Sequence, residues 1–200
     1  MKAYLCREFG PINSHKVEEI DSPTPKDHEV LIDVYAAGVA FPEGLGVQGL
    51  YQIRPDFPFS PGGEFAGVVN SIGDKVKMWN VGDRVIGFKG SGGFSEQAIC
   101  NEYNIMPLPE SMDYVTGSIF PLNYGTSIHA FKQRAELQAE ESVLIMGAAG
   151  GLGITAIHVA KAMGARVIAA ASSQEKLDLF KDQGADDLIL YSRDNICLLY

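Results

Sequence analysis

The residues with the clearest chemical potential form a glycine-rich run in the second half of the chain. Residues 147–153 read GAAGGLG and lie between a continuous apolar segment and a segment of helical composition. Glycine suits a loop that turns tightly, lets a pyrophosphate approach bare backbone, and packs a helix closely on a strand. The amides and the positive dipole end of the following helix would bind that anion. The run therefore predicts a dinucleotide site, and a plain strand-to-helix turn without a ligand is the alternative.

The segments around this run are predicted to alternate between strand and helix. In order, they are Ser142–Met146, Leu152–Met163, Val167–Ala171, Gln174–Gln183 and Leu188–Tyr191. The first is an apolar run typical of a strand covered on both faces, and glycines follow both helices, where they favour helix ends. The order β-α-β-α-β predicts one mononucleotide-binding half of a doubly wound sheet.

The residues after the second of these strands indicate which dinucleotide fits. NAD-specific folds place an Asp or Glu roughly 20 residues beyond the loop, where it binds the ribose 2′-hydroxyl. Here Ser172 and Ser173 follow the strand, and the first acid is Glu175. Ser172 and Glu175 match a capping box, which would turn that carboxylate back toward the helix start. Small hydroxyls with Lys176 fit a 2′-phosphate, so NADPH is favoured over NADH, and a solvated surface lysine is the alternative for Lys176.

The first 110 residues have a different pattern, with short β segments separated by glycine and proline. The segments richest in β-forming residues are 30–35, 65–69, 84–88 and 94–99. The turn signals between them predict a compact, barrel-like all-β domain. Residues 112–137 then predict one or two helices, the first of them capped by Ser111 or Asp113.

The composition limits the classes of protein to be considered. The formal charge is −9, from 16 basic and 25 acidic residues, and there are three cysteines. The negative charge repels phosphate backbones, so no nucleic-acid partner is expected. The dispersed cysteines form no disulfide framework, which favours a reducing compartment. We find no targeting pattern at the N-terminus and no apolar run long enough for a bilayer, so we expect a cytoplasmic protein without membrane contact.

Several motifs, taken in order along the chain, resemble one protein family. Residues 59–67, 81–85 and 124–126 precede the glycine run, and residues 160–169 and 184–186 follow it. Together they are similar to the zinc-free quinone oxidoreductases related to zeta-crystallin, in the medium-chain dehydrogenase/reductase superfamily. Within that family, the quinone oxidoreductase-like proteins are most similar. The similarity extends from residue 1 to about residue 193.

The resemblance implies a GroES-like β-barrel domain in residues 1–115 and the first half of an NADP-binding Rossmann domain in residues 116–200. It implies hydride transfer from NADPH to a quinone or an activated alkene such as an enone, in a cleft between the domains. Cofactor contacts are expected from Phe41, Thr126, Gly147, Ala149, Gly150, Gly151, Leu152, Gly153, Ser172, Lys176 and Tyr191. Tyr51 is the candidate donor of a hydrogen bond or proton to the developing oxyanion, and an aromatic cleft wall is the alternative. Full-length relatives are expected to form homodimers.

The chain departs from the family pattern in one motif and lacks the residues of a metal site. Ala40 stands where relatives often carry Asn. Glu43 preserves the carboxylate of the family's Asp with a longer reach, and a surface or cap residue is the alternative. Zinc relatives use Cys and His ligands, whereas Gly63 follows Gly62 here and no cysteines cluster. We therefore expect no metal. His158, amid small apolar residues of the first Rossmann helix, is interpreted as a packing residue.

The chain is expected to stop before the dinucleotide fold is complete. A full fold has six strands in the order 3-2-1-4-5-6, and the sequence predicts strands 1, 2 and 3. The tail after Asp194 resembles an alternative ending, so strand 1 is expected to have an unpaired edge and exposed apolar faces. The prediction is a zinc-independent NADPH-dependent quinone or enone reductase or, alternatively, a truncated nucleotide-binding isoform without turnover. A nucleic-acid-binding or structural role is a third class, against which the charge argues.

Overall fold

The structure is a computed structural model that describes residues 1–193 of the chain. Its contacts separate two compact units, Met1–Pro121 and Leu122–Tyr200. The domain boundary predicted from the sequence, between residues 115 and 116, stays a prediction. The tail predicted to be an alternative ending, residues 195–200, lies outside the described residues.

The first unit is built from antiparallel strands. They are β1 (Lys2–Leu5), β2 (Lys16–Glu19), β3 (Glu29–Ala37), β4 (Glu64–Ile72), β5 (Arg84–Phe88), β6 (Gln97–Asn101) and β7 (Ile105–Pro107). Strands β3 to β7 form one sheet in the order β6-β3-β4-β5-β7, and β1 pairs with β2. Two register shifts along β3 are bulges that bend the strand. The sheet is therefore curled, as the predicted barrel-like domain requires.

Apolar side chains of these strands form the core of the first unit. Val30, Ile32, Phe65, Val69 and Val85 are almost completely buried in one cluster. Each such side chain stabilises the fold by about 1.5–3 kcal/mol relative to exposure.

One strand of this unit begins later than predicted. The strand expected at residues 94–99 is observed at Gln97–Asn101. The Ser95 hydroxyl donates to the carbonyls of Gly92 (2.5 Å) and Gln97 (2.7 Å), and Phe94 N–H donates to Pro61 (2.9 Å). Ser95 also forms an isolated β-bridge with Ala3 of β1, and the Phe94 carbonyl accepts from Tyr4 N–H at 2.9 Å, so residues 94 and 95 pair with β1 and do not extend the strand.

A buried glutamate ties three segments of the first unit together. The Glu102 carboxylate accepts from Lys77 N–H (3.0 Å) and contacts His28 Nδ1 (2.8 Å), while its carbonyl accepts from Trp79 Nε1 (2.9 Å). The backbone hydrogen bond from Lys77, followed by the His28 contact, holds the pKa of Glu102 below its ordinary value. The charged carboxylate therefore contributes to the stability of the folded state.

Short helices follow the strands. They are α1 (Phe41–Val47), α2 (Tyr114–Gly117) and α3 (Phe120–Ile128), and α3 continues as a π-helical turn, His129–Arg134. Of the two predicted caps of α2, Asp113 is the one observed, since its carboxylate accepts from Thr116 N–H at 2.7 Å. That hydrogen bond lowers the pKa of Asp113.

The second unit contains the predicted alternation of strands and helices. Its further elements are β8 (Ser142–Met146), α4 (Gly151–Ala162), β9 (Arg166–Ala171), α5 (Gln174–Asp182) and β10 (Asp187–Leu190). The strands are parallel in the order β10-β9-β8, which is the predicted order 3-2-1 of half a doubly wound sheet. Ile157 and Phe180, from α4 and α5, are fully buried against the sheet with Val167 and Ala169 of β9.

The prediction that β8 is covered on both faces was wrong. Ile145 is buried, but Leu144 is 43 % exposed and Met146 is 55 % exposed. Among the described residues β8 pairs only with β9, and the side chains on its other face have no layer over them. The apolar run therefore indicated a parallel strand correctly, and the expected unpaired edge and exposed apolar face are observed.

Candidate nucleotide-binding site

The glycine loop joins the end of β8 to the start of α4. Gly147 has φ +63°, a backbone conformation that disfavours other residues, and its N–H donates to the carbonyl of Ala170 at 3.1 Å. Gly150 is the N-cap of α4, and Ile154 N–H is bonded to its carbonyl at 3.0 Å. The N–H groups of residues 151–153 lie before this first intrahelical hydrogen bond and therefore do not take part in the bonding within the helix. These N–H groups and the helix dipole form an anion-binding end.

Three glycines of the loop perform three different tasks. Gly147 supplies the positive φ, and Gly150 has no neighbouring atom within 4 Å of where a Cβ would lie. At Gly153, a Cβ would lie 2.4 Å from the Cα of Ala148 and 2.5 Å from its carbonyl carbon and oxygen. The tight turn, the open approach and the close helix packing that the sequence predicted therefore each belong to one residue.

A cavity of about 310 Å³ lies beside this loop. Its lining residues are Gly147, Ala149, Gly150, Ala171, Ser172, Lys176 and Tyr191. All but Ala171 were predicted as cofactor contacts, and they come from the glycine loop, the end of β9, α5 and the residue after β10. Tyr191 is held there by its N–H, which donates to the carbonyl of Ala171 at 3.1 Å. A volume of this size is at the lower end of the range for small-molecule sites.

The charge of the cavity lining suits an anion. Lys176 is the only basic side chain among the lining residues of this cavity, and no carboxylate is among them. The predicted capping box was wrong, because the N-cap of α5 is Ser173 and no side-chain capping bond is formed there. Helix α5 begins at Gln174, one residue too late for Ser172 to be its cap. Ser172 instead lines the cavity.

Helix α3 is tied to α4 by a set of hydroxyl hydrogen bonds that the sequence did not reveal. The hydroxyls of Ser127 and Thr155 lie 3.1 Å apart and both are buried. Each donates to the backbone carbonyl of Asn123, at 2.9 Å from Ser127 and 3.2 Å from Thr155. The available signal was the spacing of Asn123 and Ser127, four residues apart on one helix face. Thr126, predicted to contact the cofactor, is exposed on the same helix.

His158 does more than pack. Its Nε2 contacts the amide oxygen of Gln183 at 2.7 Å, and its Nδ1 contacts the hydroxyl of Tyr124 at 3.0 Å. Since an amide oxygen only accepts, Nε2 carries the proton and Nδ1 accepts from Tyr124. The histidine therefore links α3, α4 and the end of α5. The interpretation as a packing residue was incomplete.

The candidate residues of the first unit lie on and after α1. Phe41 is the first residue of α1 and is 79 % exposed, and Tyr51 is half-buried in the loop that follows. Glu43 accepts from Ala40 N–H at 2.9 Å and from Gly63 N–H at 3.1 Å. Its carboxylate is thus a cap that joins α1 to the loop before β4, which was one of the two alternatives. The roles of Phe41 and Tyr51 toward cofactor and substrate stay predictions.

Three further features of residues 1–193 bear on the chemistry. This part of the chain contains no group of three His, Cys, Asp or Glu side chains that could hold a metal ion. Burial raises the pKa of the Cys6 and Cys100 thiols to about 11, so neither is a thiolate at neutral pH. No helix described here has the length and apolar character needed to cross a membrane.

Comparison with known proteins agrees with this arrangement. The sequence-family model of the alcohol dehydrogenase GroES-like domain matches residues 26–110. The family model of the zinc-binding dehydrogenase matches residues 151–196. Quinone oxidoreductase-like protein 2 of Bos taurus is 39 % identical over 197 residues, which are 98 % of this chain and 56 % of the relative. Quinone oxidoreductase of Homo sapiens is 34 % identical, over 98 % of this chain and 60 % of the relative. The chain thus spans 56–60 % of the length of these relatives.

Solved structures give the same result. The chain matches the quinone oxidoreductase of Pseudomonas syringae with a TM-score of 0.91 and 31 % identity, over 98 % of this chain and 60 % of that one. It matches the quinone oxidoreductase of Thermus thermophilus, known also in complex with NADPH, with a TM-score of 0.85 and 35 % identity, over 96 % and 60 %. A GroES-like unit followed by part of a Rossmann-like unit defines the class, a medium-chain dehydrogenase/reductase. Within that class, the chain is similar to quinone oxidoreductases and quinone oxidoreductase-like proteins.

Proposed function

We propose that this chain binds NADPH and acts as an oxidoreductase, or as part of one, that transfers hydride to quinones or activated alkenes without a metal ion. The observation that carries the proposal is the cavity in which the glycine loop meets Ser172, Lys176 and Tyr191. The solved quinone oxidoreductase of Thermus thermophilus, a relative of this chain, is known in complex with NADPH, which supports the same cofactor here.

The preference for the phosphorylated coenzyme follows from the charge of the cavity. A ribose 2′-phosphate brings two negative charges, which a carboxylate at the end of β9 would repel. Ala171 and Ser172 occupy that position, and the ammonium group of Lys176 stands on the same lining. Charge-assisted hydrogen bonds of this kind contribute about 1.5–3 kcal/mol. We therefore expect NADPH to bind about 10- to 150-fold more tightly than NADH.

The chemistry divides between cofactor and protein. When bound, the reduced nicotinamide supplies a hydride to an electron-poor carbon. The loop amides hold the pyrophosphate, and Gly150 leaves the space through which it approaches. In the first unit, the exposed ring of Phe41 is proposed to pack on the nicotinamide, and the Tyr51 hydroxyl to donate to the oxygen that gains charge. This division requires no metal ligand from the chain.

A second candidate is a nucleotide-binding chain without turnover. The observation that favours it is the open face of β8, where Leu144 and Met146 are exposed. Under this alternative the cavity binds NADPH, but the chain provides no complete site for hydride transfer.

NADPH oxidation measured with a panel of quinones and enones distinguishes the two candidates. The proposal predicts turnover that needs NADPH, is insensitive to chelators and falls in Tyr51→Phe. Saturable NADPH binding without turnover would instead support the second candidate. Absence of both binding and turnover in a folded chain would refute the two together.

A further inference from the structure

We infer that Asn123 is an additional ligand of the dinucleotide, with its side-chain amide donating to the pyrophosphate at the start of α4. The inference rests on the proposed function, because it assigns a further residue to the same site. It adds a contact from α3, an element that the cavity beside the loop does not include.

The side chain of Asn123 lies against the first residue of α4. A Cβ at Gly151 would lie 3.3 Å from Oδ1, 3.4 Å from Nδ2 and 3.5 Å from Cγ of Asn123. The whole amide plane thus faces the backbone at the anion-binding end of the helix. A larger residue at position 151 would press on this amide, so the glycine keeps the space between them.

The position of Asn123 is fixed independently of its side chain. Its backbone carbonyl accepts from the buried hydroxyl of Ser127, and the single proton of the buried Thr155 hydroxyl is shared between the carbonyls of Asn123 and Leu152, the latter at 3.0 Å. These bonds attach α3 to the first turn of α4. The backbone that carries the amide is therefore held against α4 before any ligand binds, which reduces the ordering that binding requires.

The chemistry of an amide suits a phosphate at this point. The NH₂ group of Asn123 is a neutral donor, and it adds to the backbone donors of residues 151–153 without competing for them. Asn123 is half-buried, so solvent reaches the side chain but does not surround it. A carboxylate of the same shape would accept rather than donate and would repel the pyrophosphate.

Isothermal titration of the full chain with two probes tests the inference. NADPH contains the pyrophosphate, whereas adenosine 2′-monophosphate contains the adenosine and the 2′-phosphate but no pyrophosphate. Asn123→Asp is expected to weaken NADPH binding about tenfold or more, and Asn123→Ala about fivefold, because a donor to a charged group is lost. Both variants should bind adenosine 2′-monophosphate within about twofold of the unmodified chain.

The matched control is Gln133→Glu, which adds the same charge on the exposed π-helical turn and should leave both affinities unchanged. Equal NADPH affinity in the unmodified chain and in folded Asn123→Asp and Asn123→Ala would overturn the inference. An equal loss of affinity for NADPH and for adenosine 2′-monophosphate would also overturn it, since the effect would then not depend on the pyrophosphate. Failure of the unmodified chain to bind NADPH would instead refute the proposed function itself.

Discussion

The contact between Gly153 and Ala148 gives the sharpest prediction of stability. In Gly153→Ala the new Cβ would lie 2.4 Å from the Cα of Ala148. Ordinary carbon contacts are about 3.5 Å or longer, so α4 must move by roughly 1 Å away from the loop. Overpacking of this kind costs about 1–3 kcal/mol. For a chain of this size that corresponds to a fall in Tm of about 2–12 °C.

Gly150→Ala is the matched variant, because it adds the same methyl group three residues earlier. No atom lies within 4 Å of its Cβ position, and its φ of −86° suits alanine. Its free energy of unfolding should therefore remain within about 0.5 kcal/mol of the unmodified value. The methyl group would nevertheless occupy the path of the pyrophosphate and weaken NADPH binding.

Thermal unfolding by circular dichroism and NADPH titration, both applied to the two variants, separate these effects. We expect Gly153→Ala to lose stability and affinity together and Gly150→Ala to lose affinity alone. A Gly153→Ala chain with the same Tm as the unmodified chain would show that the packing argument is wrong. Undiminished NADPH affinity in Gly150→Ala would show that the ligand does not approach over this residue.

Three other predictions follow from single contacts. Lys176→Ala should weaken NADPH binding about 5- to 30-fold without changing NADH binding, whereas Lys181→Ala on the same helix should change neither, as measured by titration. Because the folded pKa of Glu102 is lowered, its contribution to stability is present above the unfolded value of about 4.3 and is lost as the pH falls through the folded value. Urea unfolding from pH 7 to 3, followed by Trp79 fluorescence, should therefore show a smaller pH dependence in Glu102→Gln than in the unmodified chain. His158→Leu should lower the free energy of unfolding by about 1–3 kcal/mol, because it removes the hydrogen bonds of His158 with Gln183 and with the Tyr124 hydroxyl, and a melting temperature equal to that of the unmodified chain would contradict this.

The glycine loop could be predicted from the sequence because its requirements are local. The positive φ of Gly147 and the missing side chain of Gly153 are properties of the residue types themselves. The order of the parallel strands also followed, since alternation of strand and helix allows few topologies. The glycine loop, Ser172 and Lys176 were predicted from residue types and their spacing, and Tyr191 from the family resemblance, and the fold places them around one cavity.

The details that failed depend on contacts between elements. Ser172 and Ser173 are the same residue type, and only the end of β9 and the start of α5 decide which one is the cap. The apolar run of β8 predicted burial, but burial requires a covering layer that no local pattern can supply. Asn123 received no role because its position at Gly151 arises from the packing of α3 on α4.

The central claim is that this chain recognises the 2′-phosphate of NADPH through the loop and the cavity beside it. Isothermal titration of the purified chain with NADPH and with NADH, at one salt concentration, tests it most directly. We expect saturable NADPH binding with at least tenfold weaker binding of NADH. Equal affinity for the two coenzymes would contradict the assignment of the cavity, and binding of neither would contradict the site as a whole.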